Sequence, residues 1–594
     1  MTTTNTPLYA SQARPWLKYY DPKFIDQTLP ECSAFDYVRR QNQNRLSESA
    51  MEYYGRKFTY ADLIVNVKKT AAAFRAVGVK KGDIITVVSV MTPEVIYAFY
   101  AADRIGATLN LVDPRYSAEG IHEYIEEVDS HLLLCLNVTY ERCYQAAKRT
   151  HVERVIVISP ADSLPLHLAI GYKATNPDRN RYKSNVLMWK QFIANGKNAS
   201  TSSEEYDPEH ACVVVHTGGT TGSPKGVMLT DRNFNAIAMQ FSAYEGLFKK
   251  GQTLMNIMPP FIAYGYACGV HLPLVLGLTV VIIPNLDPDK LGSLIWKYKP
   301  EHMFGVPAHY QQMAADSKLK DKDLSFIRNY AAGGDAISIG AEKTVNEFLA
   351  AHNVEYPMAK GYGMTEVSSA ATCAAGKNNK LGSVGIPLVN TLVSVFEPDT
   401  EKELPIGERG ELCISGPTMM KCYYNKPAET GHHSHPRGRP GLGTHRRYRL
   451  HGRRRLRLPR QPHQAPYHPP RRLQGLPLHD RKRHQPAPRR TSVFGGGLHR
   501  QGSCAGPSAL CLHRAGPGGR CLRQKASGHQ GAAPALHRGA ARICAACGLQ
   551  VHRLHAHDPR RQVRLPQARR GDHLPRLLSL RKDPKREERN RPLS

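Results

Sequence analysis

One stretch of the sequence combines residue types that suit the binding of a polyphosphate. Residues 216–226 read HTGGTTGSPKG and directly follow the apolar run ACVVV at residues 211–215. Glycines let backbone N–H groups turn toward a ligand, hydroxyls add hydrogen-bond donors, and the amine of Lys225 adds positive charge. The stretch is not a Walker A loop, because Pro224 precedes the lysine and no hydroxyl follows it. A flexible surface loop is the alternative interpretation.

Alternating helix and strand patterns must position this stretch. Residues 60–77 have a helical pattern and residues 83–90 read DIITVVSV, a β-branched run. Near-continuous apolar runs are typical of strands covered by helices on both faces, so we expect a parallel sheet in an α/β fold. Further strands of this kind are expected at residues 154–158, 211–215 and 279–283. Residues 392–396 and 410–415 instead indicate antiparallel strands near the end of the domain, a small β subdomain.

The net charge of +31 is confined to the C-terminal part of the 594 residues. Residues 432–594 contain 37 Lys and Arg against 6 Asp and Glu, whereas residues 1–431 contain 44 of each kind. A basic surface spread over the whole chain would indicate a nucleic-acid or anionic-membrane partner. Because residues 1–431 are neutral, a partner of this kind is excluded for the α/β region. We expect the α/β region to bind no specific nucleic acid.

Residues 431–594 have a composition rich in Arg, His and Pro, and their apolar residues follow neither the strand nor the helix period. A disordered basic arm that binds nucleic acid is one interpretation. The other is an out-of-frame translation. Regrouping the last two bases of each codon with the first base of the next permits W-V-H-T-G-D-I-G-Y-M-D-E-D-G-F over residues 442–456 and V-N-R-I-K-R over residues 460–465. We favour the frameshift, and assign no metal to Cys544 and Cys547.

Segments for export or membrane insertion are not expected. The start, MTTTNTPLYASQARPW, lacks a basic region followed by an apolar run. The most apolar stretch, residues 272–284, is too short to cross a bilayer and is predicted to form a buried strand pair. Thirteen cysteines without a regular framework indicate reduced thiols. We therefore predict a cytoplasmic protein without a transmembrane segment, and the sequence does not indicate an oligomeric state.

Five motifs resemble the adenylate-forming (AMP-dependent synthetase/ligase) superfamily of acyl-CoA synthetases, luciferases and peptide-synthetase adenylation domains. TGGTTGSPKGV resembles its phosphate loop, AGGD its adenine-binding loop, KGYGMTE its G-Y-G-x-T-E motif and GSVGIP its G-S-x-G-x-P motif. PFIAYG resembles the acyl-pocket motif, although Ile262 stands where a histidine is common. The resemblance covers about residues 33–430. It implies a large α/β N-terminal domain.

The resemblance implies three catalytic residues: Lys225, Thr365 and Glu366. Glu366 offers a carboxylate for Mg²⁺, Thr365 a hydroxyl for the α-phosphate, and Tyr362 a ring that stacks on adenine. Alternatively, Glu366 is a solvated carboxylate at a helix start, Tyr362 a core residue and Asp335 a helix cap. The implied ATP-binding residues are Thr217, Gly218, Gly219, Thr220, Thr221, Gly222, Lys225, Gly333, Gly334, Asp335, Gly361, Tyr362 and Thr365.

The resemblance also implies the reaction. A carboxylate attacks the α-phosphate of ATP, pyrophosphate leaves, and coenzyme A then forms the thioester. ATP, Mg²⁺, coenzyme A and a small carboxylic acid are the implied ligands. The implied pocket is largely apolar and favours a fatty or aromatic acid; its residues are Tyr264, Gly265, Val306, Gly363 and Met364. An acyl-AMP ligase that loads a carrier protein, or a nucleic-acid-binding protein that uses the basic tail, remains an alternative.

Three segments are therefore expected: an N-terminal extension at residues 1–32, the ligase N-terminal domain at residues 33–430, and the tail at residues 431–594. In the family, a small C-terminal domain supplies a lysine for adenylation, and an Asp in T-G-D binds the ribose. The written tail has neither, although the regrouped text permits T-G-D over residues 445–447 and G-K over residues 561–562. We expect this domain to be absent or disordered and activity to be impaired.

Overall fold

Two large β-sheets and the helices around them form most of the described chain. The structure is a computed structural model that describes residues 8–217, 224–284, 286–398, 400–435 and 447–449. All of these residues belong to one unit, Met1–Leu549. Residues 436–446 and 450–594 lie outside the described residues, so the predictions for those parts of the tail are not tested. The described tail residues lie at the end of a helix, Pro427–His433, and in two short strands, Ser434–His435 and Arg447–Arg449.

The strands are numbered in chain order. They are β1 (Ser49–Tyr53), β2 (Arg56–Thr59), β3 (Ile84–Val88), β4 (Thr108–Val112), β5 (Leu132–Leu136), β6 (Arg154–Ile158), β7 (Val186–Met188), β8 (Ala211–Thr217), β9 (Lys225–Thr230), β10 (Thr253–Asn256), β11 (Thr279–Ile282), β12 (His302–Gly305), β13 (Asn329–Ala332), β14 (Ala359–Tyr362), β15 (Thr372–Ala374), β16 (Ile386–Pro387), β17 (Leu392–Phe396), β18 (Glu411–Ser415), β19 (Cys422–Tyr423), β20 (Ser434–His435) and β21 (Arg447–Arg449).

The α-helices are numbered in the same way. They are α1 (Ala10–Ala13), α2 (Pro22–Ile25), α3 (Ala34–Gln41), α4 (Tyr60–Ala76), α5 (Pro93–Arg104), α6 (Ala118–Glu127), α7 (Tyr140–Ala147), α8 (Leu166–Thr175), α9 (Trp189–Asn195), α10 (Asp231–Ser242), α11 (Ala263–Tyr266), α12 (Leu272–Leu276), α13 (Leu291–Tyr298), α14 (Pro307–Ala315), α15 (Ile339–Ala351) and α16 (Pro427–His433).

The first large sheet has antiparallel strands at both edges, and the second has them at one edge only. The first has the strand order β16-β15-β14-β13-β12-β10-β11-β1-β2, and is parallel from β14 to β1. The second has the order β19-β9-β8-β4-β3-β5-β6-β7, and is parallel from β8 to β7. A smaller sheet contains β17, β18, β21 and β20. Parallel strands place their carboxyl ends, where ligands commonly bind, along the same edge.

The apolar runs and helix signals of the sequence explain these elements. Strand β8 is buried through residues 211–215, as expected of a strand inside a covered parallel sheet. Helix α4 begins with a capping box, in which the Thr59 hydroxyl accepts the backbone N–H of Asp62 and the Asp62 carboxylate accepts that of Thr59. The predicted α/β fold is confirmed, including antiparallel pairing of β17 with β18.

The prediction of a strand pair at residues 272–284 is wrong in its first half. Residues 272–276 form α12, and only β11 is a strand. Pro273 lies in the first turn of α12, and Gly277 ends the helix with a φ of +79°. Five apolar residues do not separate a buried helix from a buried strand by their period. In the part of the chain that the structure describes, no helix combines the length and apolarity needed to span a membrane.

The segment before the main domain packs on it. Trp16 and Tyr20 are buried in a cluster with Ala243 and Val389. The Tyr20 hydroxyl also donates to the carbonyl of Pro387 at 2.8 Å. The described part of the predicted N-terminal extension therefore contacts residues that follow β9 in the chain.

Candidate active site

The two strands of a hairpin hold the ends of the predicted phosphate loop. Strands β8 and β9 are antiparallel, and Thr217 pairs directly with Lys225. The hairpin register therefore brings the two ends of the loop together. The predicted residues between them lie outside the described residues; they are Gly218, Gly219, Thr220, Thr221 and Gly222.

Residues in and after β19 contact the lysine of this loop. Lys225 Nζ lies 2.6 Å from Glu429 Oε2 and 5.1 Å from the centre of the Tyr423 ring. Lys426 Nζ donates to the carbonyl of Pro224 at 3.2 Å. The segment 423–430 thus contacts both Lys225 and the residue before it.

The predicted catalytic residues Thr365 and Glu366 lie just after β14. They begin a short 3₁₀ turn, Thr365–Val367. Glu366 is 8% exposed, and its Oε1 accepts a hydrogen bond from the Tyr423 hydroxyl at 2.8 Å. Tyr362, at the end of β14, is half-buried, and burial is the main cause that raises the pKa of its hydroxyl, followed by Glu366. Tyr423 therefore links Glu366 to Lys225.

Gly363 is required by a close approach of the backbone. A Cβ atom at this position would lie 1.7 Å from the carbonyl oxygen of Ser369. The chain reverses there through Ser368 and Ser369, whose φ angles are +55° and +115°. Gly361 has more room, since its Cβ would lie 3.2 Å from the carbonyl of Thr372. The turn that carries Thr365 and Glu366 thus depends on the absence of a side chain at residue 363.

The predicted adenine-binding loop follows β13. Gly334 has a φ of +78°, which favours glycine, and Asp335 is exposed. The Asp335 Oδ1 atom accepts the N–H of Ala336 at 2.7 Å. Strand β13 is the parallel neighbour of β14, so this loop and the Thr365 turn leave the same edge of the sheet.

Tyr264 connects the adenine-binding loop to the predicted acyl pocket. Its hydroxyl donates to the carbonyl of Ala331 at 3.1 Å, and its ring lies 3.4 Å from where a Cβ of Gly333 would be. Val306 is buried and its Cγ1 lies 3.8 Å from the corresponding position at Gly334. Three predicted residues, Tyr264, Val306 and Gly333, therefore lie together.

The other predicted pocket residues occupy different surroundings. Gly265 is buried against the backbone, where an added Cβ would lie 2.1 Å from the carbonyl of Pro259. Met364 is partly buried and packs on the main hydrophobic core. Ile262 precedes α11 as its N-cap residue.

Glu366 fits the way in which proteins hold Mg²⁺ beside a nucleotide. Mg²⁺ is usually bound by one or two carboxylates together with substrate phosphates and water, rather than by a cage of protein ligands. Among the described residues, no group of three or more His, Cys, Asp or Glu side chains could hold a metal ion. A single buried carboxylate beside the predicted phosphate-loop hairpin suits a Mg²⁺ ion that is held by one carboxylate together with substrate phosphates and water.

His216 is neutral at physiological pH. Burial, with Lys426 second, lowers the pKa of its ring to about 3. Asn110 uses its amide N–H groups on Thr86 and on the carbonyl of Tyr124, so its Oδ1 accepts from His216 Nε2 at 2.7 Å. The 3.6 Å approach of His216 to Glu127 is therefore not an ion pair. His216 anchors the hairpin to β4.

Sequence reasoning missed Tyr423, Lys426 and Glu429. Each of them contacts the phosphate loop or a predicted catalytic residue. These residues follow no spacing that indicates chemistry. Only the pairing of β19 with β9 brings them to Lys225.

Known proteins resemble this chain in sequence. A family model described as "AMP-binding enzyme" matches residues 38–424. A long-chain-fatty-acid–CoA ligase of Bacillus subtilis is 27% identical over 427 residues, which cover 70% of this chain and 75% of the relative. A probable 4-coumarate–CoA ligase of Dictyostelium discoideum is 31% identical over 371 residues, which cover 61% of this chain and 65% of the relative.

Solved structures share the fold. The crystal structure of a long-chain-fatty-acid–CoA ligase from Archaeoglobus fulgidus aligns with a TM-score of 0.61 and 20% identity. The alignment covers 72% of this chain and 83% of that one. The chain belongs to the AMP-binding enzyme family, the adenylate-forming superfamily that its motifs resemble.

Proposed function

We propose that the protein is an ATP-dependent, AMP-forming ligase that joins a carboxylic acid to coenzyme A through an acyl-adenylate. One observation carries the proposal: Tyr423 links Lys225 at the end of the phosphate-loop hairpin to Glu366 in the turn after β14. The ring face of one tyrosine therefore contacts the cation proposed to bind phosphate, and its hydroxyl contacts the carboxylate proposed to bind Mg²⁺. The relatives named as CoA ligases support the choice of thiol acceptor.

The proposed adenylation is a displacement at phosphorus. A carboxylate oxygen of the acid forms a bond to the α-phosphorus of ATP, and the bond to the bridging oxygen of pyrophosphate breaks. The coenzyme A thiol then attacks the acyl carbonyl, releasing AMP and a proton. Mg²⁺ supplies charge neutralisation at the phosphates when it is bound. Catalysis comes mainly from positioning and from preorganised charge.

Each predicted residue has a proposed role in this scheme. Lys225 and the loop 218–223 hold the β- and γ-phosphates, Thr365 donates to the α-phosphate, and Glu366 binds Mg²⁺. Tyr362 stacks on adenine, which Gly333, Gly334 and Asp335 border. Gly361 lets the chain pass close to β15, where its Cβ would meet the carbonyl of Thr372.

The acid is proposed to be fatty or aromatic. Tyr264, Val306 and Met364 supply apolar surface, and Gly265 and Gly363 lie where a side chain would collide with neighbouring backbone. The names of the two curated relatives include one long-chain fatty acid and one aromatic acid. We further propose a cytoplasmic location, since thirteen cysteines without a regular framework are typical of reduced thiols.

Pyrophosphate exchange tests the proposed activity. The full chain, given ATP, Mg²⁺ and a panel of fatty and aromatic acids, is expected to incorporate labelled pyrophosphate into ATP only with an accepted acid. Glu366→Gln, which keeps the size but loses the charge, is expected to lower the exchange rate by about a hundredfold. Glu355→Gln, in an ion pair with Arg328, is the matched control. No acid-dependent exchange by either the unaltered chain or a chain with the tail in the restored frame would contradict the proposal.

We also propose that residues 431–594 are an out-of-frame translation, and that the chain as written adenylates more slowly than a chain in the restored frame. Loss of a lysine directed at the transition state costs about 3 to 4 kcal/mol, by comparison with one oxyanion-hole donor. Mass-spectrometric peptide mapping of the protein from its own cells is the test. Peptides containing W-V-H-T-G-D would mean that the written tail is a sequence error and that the enzyme is complete, whereas peptides from residues 463–471 would mean that the protein with the out-of-frame tail exists and is an impaired ligase.

A further inference from the structure

Tyr423 makes two contacts that no sequence motif indicates. Its hydroxyl donates to Glu366 Oε1 at 2.8 Å, while Lys225 Nζ lies over its ring, 5.1 Å from the ring centre. The side chain is 3% exposed. Tyr423 thus contacts Glu366 through its hydroxyl and Lys225 through the face of its ring.

Strand register explains why Tyr423 reaches Lys225. Strand β19 pairs with β9, and Tyr423 lies opposite Val227. Side chains two residues apart in a strand share a face, so Lys225 lies diagonally across from Tyr423 on that face. The N–H of Tyr424 donates to the carbonyl of Gly226 at 2.7 Å, which fixes the two strands at this point.

A second set of contacts fixes the position of the hydroxyl. The N–H of Tyr423 donates to Thr430 Oγ1 at 3.0 Å. The carbonyl of Glu366 accepts the N–H of Met420 at 2.8 Å, so the backbones on both sides of the hydroxyl bond are tied together. A tyrosine held in this way has little freedom to move away from the carboxylate.

The chemistry of the Glu366 carboxylate, the Lys225 amine and the Tyr423 hydroxyl indicates what this arrangement does. A carboxylate and an ammonium group that approach each other freely form an ion pair, and each then has less charge to offer a ligand. Here Lys225 pairs with Glu429, and Glu366 accepts from a neutral hydroxyl. A buried carboxylate needs a hydrogen-bond donor. A neutral hydroxyl supplies that hydrogen bond and leaves the negative charge of the carboxylate in place.

We propose that Tyr423 is a positioning residue for adenylation, which holds the Glu366 carboxylate in one orientation and keeps it separate from the Lys225 amine. The proposal rests on the proposed function, since it assigns Glu366 to Mg²⁺ and Lys225 to the phosphates. Tyr423 itself touches neither the substrate nor the reacting atoms. It acts through Glu366.

Tyr423→Phe in the full chain tests the hydroxyl while keeping the ring under Lys225. Binding of ATP is measured by calorimetry over a series of Mg²⁺ concentrations, and kcat and KM by pyrophosphate exchange. We expect the half-saturating Mg²⁺ concentration to rise about tenfold, as for a lost hydrogen bond to a charged group. We expect kcat to fall, with the KM for ATP at saturating Mg²⁺ unchanged.

Two further variants separate positioning from stability. Tyr330→Phe removes another buried hydroxyl bond, 3.1 Å long, to the carbonyl of Pro300. It is expected to change the melting temperature without changing the Mg²⁺ dependence. In a Glu366→Gln background, Tyr423→Phe is expected to have no further effect on that dependence. If Tyr423→Phe does not fold, Thr430→Val, which removes the acceptor of the Tyr423 N–H, is expected to shift the Mg²⁺ dependence in the same direction.

The outcomes distinguish the two proposals. If the unaltered chain binds ATP but Tyr423→Phe has the same Mg²⁺ dependence, the positioning role is refuted and the proposed function is not. An equal effect of Tyr423→Phe with and without Glu366→Gln would also refute the positioning role. If the unaltered chain binds no ATP, the proposed function and the role of Tyr423 are both refuted.

Discussion

Lys225 is held by two contacts that are each weak. The side chains of Lys225 and Glu429 are 28% and 40% exposed, and ion pairs of this exposure contribute about 0 to 1 kcal/mol. The Lys225 amine over the buried ring of Tyr423 contributes about 0.5 to 1 kcal/mol, since the lysine itself is partly exposed. A polyphosphate carries several negative charges, so it competes well against one carboxylate. Because both contacts are weak, Lys225 can leave Glu429 and bind a phosphate group instead.

Glu429→Gln is expected to favour ATP binding. The substitution removes the competing carboxylate and keeps the shape, so the KM for ATP should fall about two- to fivefold with kcat unchanged. Steady-state kinetics at low ionic strength measures the effect. Glu355→Gln breaks an ion pair of the same length, 2.6 Å, and should leave the KM unaltered. A higher KM for Glu429→Gln would mean that Glu429 holds Lys225 in its productive position instead.

At the level of elements, α5 begins with a buried acid. Glu94 lies in the first turn of α5, is 2% exposed, and accepts from the Ser163 hydroxyl at 2.5 Å. Burial raises the pKa of Glu94 from its ordinary 4.5 to about 7, while the bond from Ser163 acts in the opposite direction. The folded state therefore holds a proton more tightly than the unfolded state does.

This raised pKa predicts a pH-dependent stability. The contribution of the Glu94 proton is fully present below about pH 4.5 and is lost as the pH rises through about 7. Glu94→Gln keeps an acceptor for Ser163 and cannot ionise. We expect its melting temperature to exceed that of the unaltered chain at pH 8 and to match it near pH 5. Calorimetric scans at both pH values measure this, and an identical difference at the two pH values would contradict it.

At the scale of the whole molecule, the site is assembled from two different sheets. Strands β13 and β14 of the first sheet carry the adenine-binding loop and the Glu366 turn, whereas β8 and β9 of the second carry Lys225. The contact of Tyr423 with Glu366 joins them, because β19 is the edge strand of the second sheet. A buried ion pair of Lys360 with Glu342 further ties β14 to α15.

Several features followed from the sequence alone. The apolar runs at β6, β8 and β11 are dominated by β-branched residues, so their burial in parallel sheets was predictable. The phosphate-loop stretch was recognisable because glycine, threonine and lysine in close succession have few other uses. The α/β class, the order of the motifs and the family resemblance all follow from such local patterns.

Other features were decided only by the tertiary structure. Residues 272–276 became a helix because five apolar residues fit either period and packing made the choice. Tyr423 and Glu429 joined the site through strand register, which depends on partners almost 200 residues away in the chain. Local sequence determines which residues can form a strand or bind a phosphate. Long-range pairing determines which of them meet, since it depends on the packing free energy of the whole fold.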